Sequence, residues 1–390
     1  MESLHGRRTG VIAGSVWELL QVARVAILLC FLPVVLYRVW RVLRYPTSVP
    51  AVAVTSFGVL VWFWLLAFTD WVWAALPPVV HALCFGGLPT VTMAACLQVF
   101  VVGISGDASP ERIRRGLRTT FAVTAIVLVV VTICVSQSNV LFATNDIYEL
   151  IDALLHGGDR GSITAEVVSS GFMCAVLVQL AWAGMRHADR TPVGTGLGLL
   201  AAAAVFELVA ISYGGLWRPL NQGHGNTLGT FGLWLESLPG CAGAVLIILG
   251  FLWPPVATHV QARRKRRMLQ PLHDALEKLF PGVIPPMDQR IRLSDLIFEW
   301  TTHIQDGLTL LGQGRQVSPQ TRDSIPGGCD ERAVAVTNWL TGQDVPGFSS
   351  EWLRPPSGVS DEAWVLAIAE AYADFGESQI RRETTVCVLR

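Results

Sequence analysis

The chain has 390 residues, of which 52% are hydrophobic and only 15% are charged, and its formal net charge is −1. In a typical soluble protein about a quarter of all residues are charged, so this composition argues against an ordinary soluble protein and favours a membrane protein. The near-neutral balance indicates no nucleic-acid partner.

Seven segments contain the roughly 20 apolar residues that a helix needs to cross a bilayer. Arg7 and Arg8 precede the first segment, but no small-residue cleavage site follows, so we interpret it as an uncleaved span. That segment is interrupted by Glu18, Gln21 and Arg24. The predicted spans are 17–37, 51–69, 79–102, 119–138, 163–184, 193–213 and 231–252.

The third and sixth predicted spans contain residues that affect helix packing. Gly86-Gly87-Leu88-Pro89 predicts either a packed kink or a broken helix that lines a site, because Gly and Pro free backbone groups that lipid cannot satisfy. Gly194-x-x-x-Gly198 predicts a surface for close approach of another helix.

Basic residues are distributed unequally between the connections, and this predicts the orientation. Fourteen Arg and Lys residues lie in the connections between spans one and two, three and four, and five and six, and in the segment after span seven. All of these segments fall on the same side of the membrane. Four fall on the other side: Arg7, Arg8, Arg160 and Arg218. We therefore predict an external N-terminus and a cytoplasmic C-terminus in the plasma membrane. Trp71, Trp73, Trp217 and Trp253 are predicted to lie at the membrane interfaces.

The predicted fold is all-α, with a seven-helix transmembrane bundle over 1–254 and a small cytoplasmic helical domain over 255–390. The 4–5 connection predicts an amphipathic helix from Ile147 to Leu155, capped by Asp146 with Glu149 reaching back, and lying on the outer surface or over the bundle as a lid. In the tail, apolar stripes predict helices near 272–280, 293–311, 333–340 and 361–375, the last capped by Ser360.

Three stretches of the tail resemble an actinobacterial family: Arg-Arg-Met-Leu-Gln-Pro-Leu (266–272), Arg-Ile-Arg-Leu (290–293) and Ile-Gln-Asp-Gly-Leu (304–308). Members of that family are seven-span membrane proteins with a cytoplasmic helical domain of unknown function, usually classed as candidate transporters. His273 stands where the resemblance implies a bulky aromatic residue. The resemblance implies transport, and it supplies neither a substrate nor functional residues.

Ionisable residues inside the spans mark the candidate binding site, because a charge in hydrocarbon is costly unless it is paired or hydrated. Counting about 1.5 Å per residue from each span's midpoint, Arg24 and Glu207 lie about 6 Å towards the outside, Glu236 about 8 Å, and Glu166 and His81 about 12–13 Å. We expect Arg24 to compensate Glu207 or Glu236. The cluster is either a structural ion pair or protonated glutamate, or an outward-open cavity that binds a cation or carries a proton.

Two functions follow from this pattern. The first is transport of a small solute through the acidic site. The alternative is a seven-span sensor whose tail, 262–390, recruits a cytoplasmic regulator. The basic run from Arg263 to Arg267 (Arg263, Arg264, Lys265, Arg266 and Arg267) is predicted to bind anionic lipid headgroups.

No nucleotide, hydrolase or zinc motif occurs, so the sequence predicts no catalytic residue, cofactor or metal site. The eight cysteines, which include no C-x-x-C, are interpreted as small apolar residues buried in the fold. His273 and His303 are interpreted as solvated helix histidines.

Overall fold

The computed structural model describes residues 14–44, 49–104, 109–155, 158–221, 230–281, 293–318 and 325–388, and every regular element in those ranges is helical. The chain divides into two compact units, Met1–Pro255 and Val256–Arg390. Arg7, Arg8 and residues 290–292 of the family resemblance lie outside the described residues.

The first unit contains eight helices of eight or more residues and the first part of a ninth, counted in the described ranges, joined by short helical turns. They are α1 (Gly14–Arg44), α2 (Val49–Ala67), α3 (Pro78–Phe85), α4 (Leu88–Ile104), α5 (Pro110–Ser136), α6 (Ile147–Leu155), α7 (Arg160–His187), α8 (Pro192–Ile211) and α9 (Thr230–Leu279), within which the two units divide. The chain leaves α8 through a π-helix, Ser212–Trp217, and one further helical turn, Arg218–Leu220.

In the described part of the chain, six helical stretches are long and apolar enough to cross a membrane: Glu18–Arg44, Val49–Ala67, Pro110–Ser136, Arg160–His187, Pro192–Leu220 and Trp234–Leu279. The pair α3 and α4 passes the same test when taken together, but the two helices are bent by 51°. The described residues therefore contain seven candidate spans if this pair crosses, and six if it returns to its own side.

The break between α3 and α4 lies at Gly86 and Gly87, where the sequence predicted a kink or a broken helix. Gly87 has φ +85°, and a methyl group added there would lie 2.1 Å from Ser169 Oγ. A methyl group on Gly86 would lie 2.1 Å from Val135 Cγ2. Both conformation and close packing therefore require glycine, and the helix is broken rather than merely curved.

Two apolar clusters fill the first unit. One surrounds Phe31, Phe57, Leu97 and Phe251, and the other surrounds Trp73 and includes Val131, Leu141 and Leu150. Large apolar side chains also cover the outside, among them Leu29, Phe121, Trp182 and Val193. A soluble protein rarely exposes so much contiguous apolar surface, so the unit has the exterior that insertion into lipid requires.

Helix α6 packs onto this unit. Leu150 is fully buried, and Asp146 caps the helix by accepting a hydrogen bond from Tyr148 N at 2.8 Å. Glu149 does not reach back to the Asp146 amide as predicted; its carboxylate accepts from the Thr144 hydroxyl, which in turn accepts from Asp146 N.

Asp159 joins the start of α7 to the turn that follows α5. Its carboxylate accepts hydrogen bonds from Ser138 Oγ, Asn139 N, Val140 N and Ser162 N at 2.6–3.3 Å. Burial alone would raise the pKa of Asp159, but these hydrogen bonds to the charged form outweigh it and lower the pKa to about 2.

Three sequence interpretations are wrong in detail. Trp73 is only 2% exposed and belongs to the core instead of an interface, whereas Trp71, Trp217 and Trp253 are exposed. In α8, the close approach to another helix is made by Gly196, because a methyl group added there would lie 3.3 Å from Gly250 O on α9. Methyl groups on Gly194 and Gly198 would instead meet Asp189 and Ala188 in the connection that precedes α8. Cys30 is exposed, and the other described cysteines are free and partly buried.

The second unit has its own apolar core. It contains the end of α9 together with α10 (Leu293–Gly314), α11 (Cys329–Leu340) and α12 (Asp361–Val388). Buried residues from all four helices form one cluster: Leu269, Leu272, Leu276, Trp300, Ile304, Leu308, Val336, Trp364 and Ile368. Ser360 caps α12 as predicted, because its Oγ accepts from Ala363 N at 3.3 Å.

Candidate functional site

A cavity of about 470 Å³ lies inside the first unit. Its walls are largely apolar and include Phe57, Trp64, Met93, Leu97 and Leu177. Five charged side chains reach it, from α1, α7, α8, the turn after the π-helix and α9: Arg24, Glu166, Glu207, Arg218 and Glu236. The volume is in the range of sites that hold small organic ligands.

Arg218 organises one end of this charged set. Its Nη1 donates to Glu236 Oε2 at 2.7 Å, and its Nη2 lies 3.4 Å from Glu166 Oε1. All three side chains are partly buried, so the guanidinium holds two carboxylates that would otherwise repel each other. We call Arg218, Glu166 and Glu236 the arginine triad.

The π-helix brings this triad together. A methyl group on Gly214 would lie 2.5 Å from Glu236 Cδ, and one on Gly215 would lie 2.1 Å from Ser170 Oγ. Both glycines are buried, so α9 and α7 approach the π-helix at the positions that have no side chain. π-Helical turns are uncommon and recur at functional sites.

Glu207 lies deeper than the triad, because it packs against Gly243, which follows Glu236 by seven residues, or about two helical turns, along α9. A methyl group on Gly243 would lie 2.6 Å from its Oε1. The side chain of Cys241 on α9 lies near it. Within the described part of the chain, its carboxylate has no hydrogen bond and no ion pair with a basic side chain, so it faces the cavity as an uncompensated acid.

Arg24 does not compensate Glu207 or Glu236 as predicted. Its guanidinium donates to the Phe68 carbonyl oxygen and stands 5.9 Å from the Phe68 ring centroid. Its charged partner is Asp70, and Gln21 donates to Asp70 Oδ1 at 3.0 Å. Arg218 replaces Arg24 as the partner of Glu236.

His81 also differs from the expectation, because it lies in the aromatic core. Its ring stacks on Trp73 at a centroid distance of 4.0 Å, and its Nε2 lies 2.9 Å from Trp73 O. The side chain is 1% exposed and does not reach the cavity. Of the five predicted site residues, Arg24, Glu166, Glu207 and Glu236 do line it.

The sequence interpretation missed Arg218 because it ended the sixth span at residue 213 and placed Arg218 in an external loop. Arg218 follows Glu207 by eleven residues, which is close to three α-helical turns and therefore nearly the same helix face. This spacing could have identified Arg218 from the sequence, although the π-helix changes the angle between the two side chains.

In the second unit, the basic run is partly engaged in local contacts. Lys265 Nζ lies 2.6 Å from Glu362 Oε1, and the Arg266 guanidinium stands 5.7 Å from the Trp300 ring centroid. Arg263, Arg264 and Arg267 are exposed. The predicted role of the run at lipid headgroups stays a prediction.

His273 is not the solvated histidine that the sequence suggested. It is 4% exposed and stacks on Trp300 at a centroid distance of 4.6 Å. Burial lowers the pKa of His273, and the nearby Glu277 and Asp274 offset only part of that effect. The imidazole is therefore neutral at pH 7.

Comparison with protein-family models, with curated proteins and with solved structures finds no match for this chain. Its helices have membrane-spanning length and composition, and they enclose an apolar chamber in which acids outnumber bases among the described residues.

Proposed function

We propose that the protein is an integral membrane transporter whose cavity binds an apolar organic cation at Glu207. We also propose that the chain crosses the membrane seven times, that its tail is cytoplasmic, and that the binding site lies in the outer half of the bundle. The observation that carries it is Glu207, an acid in the wall of an apolar chamber that has no basic partner among the described residues.

Charge supports a cationic substrate over an anionic one. Among the described residues, three glutamates and two arginines line the cavity, so one negative charge of this set is unbalanced when all are ionised. Arg218 is held by two carboxylates and Arg24 interacts with Asp70, which leaves Glu207 as the group with capacity for a cation or a proton.

The lining supports an apolar body on that cation. Aromatic and methionine side chains such as Phe57, Trp64 and Met93 offer dispersion contacts and π-faces for a delocalised positive charge. A small hydrated metal ion would have few oxygen ligands in such walls. The site therefore favours an organic monocation that can shed its hydration shell.

The test uses tetraphenylphosphonium as a probe cation and tetraphenylborate as an anion of nearly the same size and shape. We expect the purified protein to bind the cation saturably and the anion at least tenfold more weakly. Glu207→Gln should lower cation affinity at least tenfold while leaving the unfolding temperature in detergent unchanged. Equal binding of both probes, or unchanged affinity in Glu207→Gln, would refute the acidic site.

Glu149→Gln provides the matched control, because Glu149 is an exposed glutamate on α6 that contacts Thr144 and does not line the cavity. It should bind the cation as the parent protein does. Proteoliposomes loaded with a pH-sensitive dye then separate the two functions. Cation-dependent proton flux supports transport, whereas binding without any flux would overturn transport in favour of the sensor.

A further inference from the structure

His273 is a buried polar side chain without hydrogen-bond partners. It is 4% exposed, and neither Nδ1 nor Nε2 makes a hydrogen bond within the described residues. Buried polar atoms in native proteins are nearly always satisfied by protein, water or an ion. The unsatisfied imidazole therefore requires an explanation.

Two carboxylates face one of these nitrogen atoms. Asp274 Oδ1 lies 3.7 Å from His273 Nδ1, and Glu277 Oε2 lies 4.0 Å from it. These separations are too long for hydrogen bonds. The three donor atoms all lie within 4.8 Å of one another, which is close enough for small side-chain rotations to bring them around one ion.

We propose that His273 Nδ1, Asp274 and Glu277 form a binding site for a divalent transition-metal ion, with Zn²⁺ as its preferred occupant. This site lies wholly in the second unit and is independent of the cavity. Zn²⁺ sits about 2.0–2.2 Å from nitrogen and carboxylate oxygen. Both carboxylates are about half exposed, so small rotations bring their oxygens to that distance.

The donor set decides the class of metal. An imidazole nitrogen with two carboxylates suits Zn²⁺ and related ions, whereas Ca²⁺ and Mg²⁺ prefer oxygen ligands alone. Three protein ligands leave a fourth tetrahedral position for water or for a ligand from outside the site. Because Trp300 covers one face of the His273 ring, the imidazole is held in a fixed orientation.

The test measures Zn²⁺ binding to the full-length protein in detergent after removal of metal with a chelator, using competition with a chromogenic zinc indicator. We expect one Zn²⁺ per chain at micromolar affinity or tighter, with no displacement by excess Mg²⁺. Asp274→Asn with Glu277→Gln should weaken binding at least tenfold. Asp330→Asn with Glu331→Gln, an adjacent acidic pair at the start of α11, is the matched control and should bind as the parent does.

His273→Phe separates loss of the ligand from loss of the fold. Phenylalanine can keep the stack on Trp300 while removing the nitrogen, so tryptophan fluorescence and the unfolding temperature without metal should be unchanged and Zn²⁺ binding should be lost. Binding that survives in His273→Phe or in the Asp274/Glu277 variant, or no binding to the parent protein, would overturn the proposal.

Discussion

Gly243→Ala tests whether the position of the Glu207 carboxylate, and not only its charge, matters for binding. A methyl group at residue 243 would lie 2.6 Å from Glu207 Oε1, 2.8 Å from Cγ and 2.9 Å from Cδ. Carbon atoms pack best about 3.5–4.0 Å apart. The glutamate side chain must therefore withdraw by about 0.6 Å or more, although it keeps its charge.

The effects on stability and on binding should separate. Replacing a helical glycine gains about 1 kcal/mol of helix propensity, and overpacking costs about 1–3 kcal/mol. The methyl group meets mainly the far end of a rotatable side chain, so we expect the lower end of that cost and a net change in unfolding free energy within about 1 kcal/mol. Displacement of the charge should lower tetraphenylphosphonium affinity about tenfold, which corresponds to about 1.4 kcal/mol.

The assay compares equilibrium binding of tritiated tetraphenylphosphonium with the unfolding temperature of the same preparation. Gly171→Ala is the matched control, because Gly171 is also helical and a methyl group there meets nothing within 4 Å. It should bind normally. If Gly243→Ala folds and binds with parental affinity, Glu207 does not contact the probe and the reasoning fails.

Three further predictions follow from the first unit. Asp159→Ala should destabilise the protein by about 1 kcal/mol at pH 7. The lowering of the Asp159 pKa from 3.8 to about 2 corresponds to at most about 2.5 kcal/mol, and solvent screening reduces this free energy. Because the pKa of Asp159 is lower in the folded state, the carboxylate stabilises the fold above pH 3.8, and this stabilisation is lost as the pH falls towards 2. Equal unfolding temperatures of parent and variant at pH 7 would contradict the prediction. Arg218→Gln and Glu236→Gln should be non-additive by about 1–2 kcal/mol in a double-mutant cycle of detergent unfolding, and strict additivity would exclude the ion pair. In a cysteine-free background, Trp71→Cys and Ser109→Cys should react with an impermeant maleimide from opposite sides if α3 and α4 together cross the membrane; labelling from one side would make the pair a re-entrant loop.

Apolar length and glycine content predicted most of the first unit. The second predicted span, 51–69, nearly coincides with Val49–Ala67, and the break appears at Gly86-Gly87 as the sequence suggested. These features are local, because bilayer thickness and backbone freedom act on a few consecutive residues. In the tail, the stripes at 293–311, 333–340 and 361–375 fall within α10, α11 and α12, because helix periodicity is also a local property, whereas the stripe at 272–280 is the end of α9 and not a separate helix.

Partner choice was not predictable, because it depends on residues that are distant in sequence. Arg24 finds the Phe68 carbonyl 44 residues away, and Arg218 pairs with Glu166 52 residues away. His273 is buried against Trp300, which lies on another helix. Hydropathy identifies such residues as costly to bury but does not specify which group compensates each of them.

The π-helix from Ser212 to Trp217 makes the arginine triad sensitive to the winding of the backbone. A π-helical turn holds about one residue more than an α-helical turn, so a return of this segment to α-helical winding at unchanged chain length would turn Arg218 by about 100° around the helix axis. Its guanidinium would then leave Glu236 and Glu166, although no triad residue had been replaced. In this protein, the spacing of residues in the sixth apolar stretch is therefore as much a determinant of the charged cavity as the identity of its side chains.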